Sequence, residues 1–256
     1  MSGAVTKGIH DTAAAGFSAG SGAYARGRPS YPEEAVEFLV RELGLGSGTK
    51  VLDLAAGTGK FTALLVPTGA EVVAVEPVKE MGDQLRASVE GVEVLEGTAE
   101  AIPLPDGSLD VVTVAQAFHW FEPDAALSEI ARVLRPRGGL AMVWNRRDES
   151  VPWVARMNEL IRWHEFRYGN YDAVDWPDIV ARSGRFSPLE HRTFRYEQTL
   201  DREGLEARLR SVSYIAAMDS EERDAVVALG MGAVEGMSAP FVLPYNTLVY
   251  WCSKRS

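Results

Sequence analysis

The chain is predicted to adopt an α/β fold around a parallel sheet, and three features of the sequence carry that expectation. Apolar runs of strand length alternate with helix-like stretches, the pattern of repeated βαβ units. These runs are apolar on both faces, as strands must be when helices cover both sides of a sheet. The first run, Val51-Leu52-Asp53-Leu54, closes on a glycine turn that opens a helix, and the second, Val72-Val73-Ala74-Val75, closes on the acid Glu76. Strands are expected near 50–55, 71–76, 92–96, 109–115 and 139–144, with helices near 60–66, 78–88 and 123–134.

Punctuation supports each element in turn. Residues 1–22 are rich in Ala, Gly and Ser and read as a mobile leader, with no basic segment followed by an apolar run to make a signal peptide or membrane span. Pro32 with Glu33 and Glu34 opens a helix reaching Leu43, since proline suits a first turn and acids complement its dipole. Pro67-Thr68-Gly69 ends the next helix, Pro105-Asp106-Gly107-Ser108 makes a turn, and Pro123 starts another helix after Glu122. After Asn145 the alternation breaks. Residues 150–183 hold Trp153, Trp163, His164, Phe166, Tyr168, Tyr171 and Trp176, with Val154, Met157, Leu160 and Ile161 at helical spacing, which reads as a helical cap. Residues 190–199 read as a returning strand, 201–236 as two helices, and Asn246 to Cys252 as a last strand. The domain reading is a leader at 1–22, a cofactor-binding core at 23–149, a cap insertion at 150–189, and the remainder of the core at 190–256.

Composition narrows the function classes. A chain of 256 residues, 46% hydrophobic, is long enough for one large α/β domain carrying an inserted cap. The net charge of -10 makes a field that repels phosphate backbones, which opposes general nucleic-acid binding. Arg132, Arg135 and Arg137 cluster where cations complement a helix end. The single Cys252 excludes an internal disulfide, and four scattered histidines offer no metal-ligand spacing. A cytoplasmic protein, monomer or homodimer, is expected.

The chemistry concentrates in the turn from Asp53 to Gly59 and in Glu76. A glycine turn lets backbone approach a nucleoside cofactor closely, and a strand-end carboxylate can accept from ribose hydroxyls. A dinucleotide fingerprint wants a third glycine where Thr62 stands, and Asp53 would repel a pyrophosphate but attract an ammonium group. Both points favour S-adenosylmethionine, with Gly57 and Gly59 against its methionine part and Asp53 orienting the ammonium through water or backbone. The helix starting near Lys60 would add free amide donors. Met81 reads either as packing on the adenine or as core filling. His119 follows the fourth strand among Phe118, Trp120 and Phe121, where an imidazole could deprotonate a hydroxyl, bind a carboxylate, or merely shape the pocket wall.

At Val51-Leu52-Asp53-Leu54-Ala55-Ala56-Gly57-Thr58-Gly59 the chain resembles the class I S-adenosylmethionine-dependent methyltransferases, in the broad small-molecule group called methyltransferase type 11. The likeness continues through Glu76-Pro77, Gly97-Thr98-Ala99-Glu100-Ala101-Ile102-Pro103, Leu109-Asp110-Val111-Val112 and Leu134-Arg135-Pro136-Arg137-Gly138-Gly139. Ala115-Gln116-Ala117-Phe118-His119-Trp120-Phe121 is similar to the branch of trans-aconitate methyltransferase-like enzymes.

The resemblance implies a Rossmann-like, doubly wound, seven-stranded and mostly parallel sheet, with an antiparallel last strand and a helical cap insertion. It implies cofactor contacts by Asp53, Ala55, Gly57, Gly59, Glu76, Pro77, Met81, Thr98, Ala99, Glu100 and Gln116, with Tyr24 and Arg28 folding over. Thr98 stands where an aspartate often touches the adenine amine, which leaves a backbone contact at Ala99. On the acceptor side it implies His119, Trp120, Asn145, Trp153 and Trp163. The implied activity is methyl transfer to a small molecule, more at oxygen than elsewhere, leaving S-adenosylhomocysteine. A nicotinamide-dependent oxidoreductase and an adenosyl-cofactor protein with a non-methylating activity remain as alternatives.

Overall fold

A computed structural model describes residues 27–165 and 174–256. Helix α1 (Glu33–Leu43) starts after extended Pro32, carries Glu33 and Glu34 in its first turn, and stops where Gly44 turns left-handed at φ +64°. It buries Ala35, Val36, Phe38 and Leu39. Five strands follow: β1 (Lys50–Leu54), β2 (Glu71–Val75), β3 (Glu93–Leu95), β4 (Leu109–Ala115) and β5 (Leu134–Arg147). They run parallel, β1 pairing with β2 and β4, β2 with β3, and β4 with β5. Helices α2 (Thr62–Leu65), α3 (Lys79–Ser88) and α4 (Pro123–Val133) connect them. With β6 (Glu190–Leu200) and β7 (Phe241–Ser253) the seven strands lie in the order β3-β2-β1-β4-β5-β7-β6, the last two antiparallel. The expected doubly wound sheet is therefore present.

Several elements differ from expectation for local reasons. Helix α2 has four residues and passes into a tight turn at Val66–Thr68, where Pro67 lacks an amide donor and Gly69 ends the turn at φ +83°. Strand β5 begins at Leu134 instead of 139, because Leu134 already pairs with Leu109 before a register shift. The stretch expected as two helices contains three: α7 (Arg202–Arg210), α8 (Ser213–Ala216) and α9 (Ser220–Met231). Asp201 caps the first by accepting from the Gly204 amide, and Asp219 caps the third by accepting from Glu222.

The chain divides into two compact units. One comprises 31–145, 175–194 and 247–256, and the other the described parts of 1–30, 146–174 and 195–246. Residues 175–194 group with the sheet, and 195–246, which carries α7, α8 and α9, groups with α5 (Pro152–Leu160). Helix α6 (Trp176–Arg182) belongs to the sheet unit and is capped by Asp175, which accepts from the Asp178 amide at 2.9 Å.

Each unit has its own apolar core. In the sheet unit Leu39, Val51, Leu65, Val111 and Val249 pack together; in the other Val154, Met157, Leu205, Leu209, Ile215 and Val227 do so. Burying such a side chain contributes about 1.5–3 kcal/mol. Among the described residues no helix is long and apolar enough to cross a membrane.

Candidate functional site

Strand order reverses beside β1, with β2 on one side and β4 on the other. In open α/β sheets such a switch point leaves a crevice beyond the carboxyl ends of the strands. The register brings those ends level: Leu54 pairs with Val75, Val75 with Leu95, and Asp53 with Thr113. Ala55, Glu76 and Gln116 each follow a strand end at this crevice.

The turn after β1 needs unusual backbone. Ala55, Gly57 and Gly59 have φ of 55°, 59° and 84°. At Gly59 an added Cβ would lie 2.7 Å from Cγ of Leu85, which is fully buried and cannot withdraw. At Gly57 an added Cβ would meet nothing within 4 Å, so this side of the turn is open. A non-glycine residue in the left-handed region costs on the order of 1–3 kcal/mol, which the surroundings of Ala55 must offset. Part of that holding comes from the Ala56 amide, which donates to the Val75 carbonyl at 3.2 Å.

Glu76 clamps the turn. The Gly57 amide donates to its Oε2 at 2.7 Å and the Val78 amide to its Oε1 at 2.9 Å. Its side chain is buried, and burial raises the carboxyl pKa while these two amides pull it down. Each oxygen accepts one backbone bond and retains a second lone pair.

Asp53 faces inward. It is fully buried, its Oδ2 accepts from the Thr62 hydroxyl at 2.6 Å, and its Oδ1 accepts from the Thr113 hydroxyl at 3.2 Å. Burial pushes its pKa up to about 7, with the Glu76 charge adding to the rise and the two hydroxyls opposing it. The carboxyl thus ties β1 to β4 and to the first residue of α2. Thr62 and Thr113 were missed by sequence reasoning. In sequence Thr62 stands out only as the residue in place of a third glycine; the signal for its role is a hydroxyl nine residues after a strand acid. The four-residue α2 also stands in place of the helix expected at 60–66, so the donors here are single loop amides without a full helix dipole.

Pro77, Met81, Thr98, Ala99, Glu100 and Gln116 belong to the same unit. Pro77 lies between Glu76 and α3, and Met81 is buried on that helix. Thr98 bridges to Ala101, Ala99 is buried, and Glu100 Oε1 accepts from the Glu122 amide at 3.0 Å, fixing this loop to the start of α4. Gln116, at φ 58°, donates its amide to the Val143 carbonyl and its Nε2 to the Asn145 carbonyl at 3.1 Å. Asn145 is buried, and its Oδ1 accepts from the Thr247 hydroxyl at 2.6 Å.

His119 lies in the turn Phe118–Trp120, its Nδ1 3.5 Å from the Trp144 Nε1 donor and its ring 5.0 Å from that of Trp120. Trp144 in turn stacks on Trp176 at 5.2 Å.

Three expected contacts belong to the other unit. Arg28 Nη2 donates to the Ser213 hydroxyl at 3.2 Å, Trp153 lies 6.5 Å from Phe241, and Trp163 lies 6.3 Å from Tyr214. Tyr24, Tyr168 and the leader 1–22 lie outside the described residues.

A glycine turn and a strand-end acid at a switch point are the arrangement by which open α/β sheets take nucleoside ligands. Residues 52–142 match the methyltransferase domain family. An uncharacterized methyltransferase-like protein of Schizosaccharomyces pombe is 35% identical over 206 residues, covering 80% of each chain. The chain belongs to the class I methyltransferase family. An uncharacterized methyltransferase of Mycobacterium tuberculosis is 53% identical over 145 residues, and the match spans 57% of this chain and 58% of that protein. Among solved structures, phosphoethanolamine N-methyltransferase 2 of Haemonchus contortus, in complex with phosphomonomethylethanolamine and S-adenosylhomocysteine, shares the fold. Its TM-score is 0.52 at 15% identity, over 87% of this chain and 52% of that one.

Proposed function

We propose that the chain transfers a methyl group from S-adenosylmethionine to a small-molecule acceptor, at a carboxylate or hydroxyl oxygen. The observation that carries this reading is the pairing of the buried Glu76 clamp, with lone pairs remaining, and the open side of the turn at Gly57. The residues present fit an adenosyl group: an acceptor for two ribose hydroxyls stands beside backbone that lacks a Cβ. Thr62, standing where a dinucleotide fingerprint has its third glycine, disfavours a pyrophosphate, and with it the nicotinamide reading.

When bound, S-adenosylmethionine supplies an electrophilic methyl carbon on a sulfonium. Glu76 binds the ribose, Gly57 and Gly59 admit the methionine part, and Met81 with the loop of Thr98, Ala99 and Glu100 borders the base. Asp53 acts through the backbone of the turn, and Gln116 with Asn145 holds the ends of β4 and β5. Alignment of acceptor and methyl group can supply about 7–11 kcal/mol, so an ionised carboxylate needs no base. His119, whose Nδ1 lies 3.5 Å from Trp144 Nε1, is the side chain we assign to contact the acceptor oxygen, as a ligand for a carboxylate or a base for a hydroxyl.

Titration calorimetry with S-adenosylhomocysteine tests the cofactor, and labelled-methyl transfer to small carboxylic acids, phenols and amines tests the acceptor class. Glu76→Ala is expected to weaken binding roughly ten- to hundredfold, the value of a charged hydrogen bond of about 1.5–3 kcal/mol. Unchanged affinity in a folded variant would remove the ribose role.

A further inference from the structure

Within the unit built from 146–174 and 195–246, two arginines lie where cations are costly. Arg147 ends β5 with its guanidinium 4.4 Å over the face of Trp163. Its Nη2 is closed off from solvent and makes no hydrogen bond among the described residues. Arg208 sits on the apolar stripe of α7 between Leu205 and Leu209, and is buried with them. Its Nε donates to the Tyr245 hydroxyl at 2.9 Å and its Nη1 to the Ser211 hydroxyl at 3.2 Å, leaving Nη2 outside both bonds. Tyr245 passes its own proton to Gln198 Oε1 at 3.1 Å, and Tyr214 donates to the Ile161 carbonyl at 2.6 Å.

The Arg208 charge acts on the Arg147 guanidinium. Burial first, and then the Arg208 charge, push Arg147 down to about 10, against the favourable influence of Tyr245, Tyr214 and Glu149. Among the described residues the Glu149 carboxylate acts on Arg147, and it is already engaged by Asn158 Nδ2 at 2.5 Å and His164 Nε2 at 2.9 Å. A buried cation without a matched anion costs several kcal/mol, and among the described residues neither the Arg147 nor the Arg208 guanidinium hydrogen-bonds a carboxylate. Guanidinium forks match carboxylates in a bidentate geometry. The surrounding walls are aromatic: Trp163 stands 6.3 Å from Tyr214, and Tyr196 stands 6.1 Å from Tyr245. Such walls accept an apolar body next to a charged head.

We propose that Arg147 and Arg208 form a binding site for the carboxylate of a small organic acid whose apolar or aromatic body rests on this aromatic wall. The site lies wholly in this unit and does not depend on the cofactor reading.

Titration of the full chain with phenylacetate, phenylacetamide and inorganic phosphate tests it. Phenylacetate is expected to bind, and its neutral amide and phosphate to bind at least tenfold more weakly. Arg147→Met, which keeps the side-chain bulk, is expected to weaken phenylacetate at least tenfold while S-adenosylhomocysteine affinity stays unchanged; Arg147→Lys should recover part of the loss. Equal binding of phenylacetate and phenylacetamide by the wild-type chain overturns the proposal without any variant. So does phosphate competing on equal terms, or phenylacetate affinity surviving Arg147→Met. Because S-adenosylhomocysteine is titrated separately, failure of the cofactor reading would show as its own lost signal.

Discussion

Asp53→Asn isolates the energetics of a buried acid with hydroxyl partners. The folded chain raises its pKa from 3.8 to about 7, chiefly by burial. Between those values the folded protein holds a proton that the unfolded chain has released, so stability falls as pH rises through 7. The contribution is complete below pH 4 and lost above pH 7. At about 1.36 kcal/mol per unit the whole shift amounts to about 4 kcal/mol, of which about 2.5 kcal/mol disappears between pH 5 and pH 8. For a domain of this size that is a loss of roughly 5–10 °C in melting temperature. Asparagine can fill the site: its carbonyl accepts from Thr62, and its amide can donate to Thr113, whose hydroxyl already reaches the Leu52 carbonyl at 3.2 Å. Calorimetric melts of wild type and Asp53→Asn from pH 5 to 8 should converge at low pH and separate at high pH, the variant being the more stable there. Parallel curves would show that Asp53 does not titrate in this range and would refute the assignment.

Further consequences follow from the same geometry. His119→Gln, which retains a donor near Nε2, should keep more turnover on a carboxylate acceptor than His119→Ala; equal loss in both would favour a proton-abstracting role. Cys252 is buried in β7 and its thiol is pushed up to about 12 by burial, so a thiol reagent at neutral pH should label it only after denaturant unfolds the chain. Rapid labelling of the native protein would contradict that packing. Gly59→Ala should lower stability by about 1–3 kcal/mol, measured by urea unfolding, since it adds a Cβ against immobile Leu85 at φ +84°. A neutral result would mean that α3 yields.

What could be read from sequence was set by backbone demands. Strands buried on both faces must be continuously apolar, and a turn at φ +84° facing Leu85 must be glycine, so β1, β2, β4 and the cofactor turn announce themselves. Glu76 was legible because the acid directly follows the second strand. Element ends were less so. Pro67 curtailed α2 and capping by Asp201 and Asp219 divided the later helices, effects that periodicity averages away. The partners of polar side chains were least visible, because they come from distant segments: Asp53 takes Thr113 from sixty residues on.

Arg147 and Arg208 show the same limit from the other side. In sequence Arg147 reads as one of two loop arginines, and loop arginines are ordinarily solvated. Arg208, however, carried a usable signal, a cation among Leu205, Leu209 and Val212 on the stripe that an amphipathic helix buries. A charge at such a position either has a partner elsewhere in the fold or awaits one from outside. The proposed donor site rests on a backbone turn and a strand-end acid that the sequence displays directly, whereas recognition of an anion rests on two or three side chains whose meaning appears only once the fold buries them. The donor site is therefore visible in the turn after β1 and the acid after β2, and the anion site only in the convergence of β5, α7 and the final strand.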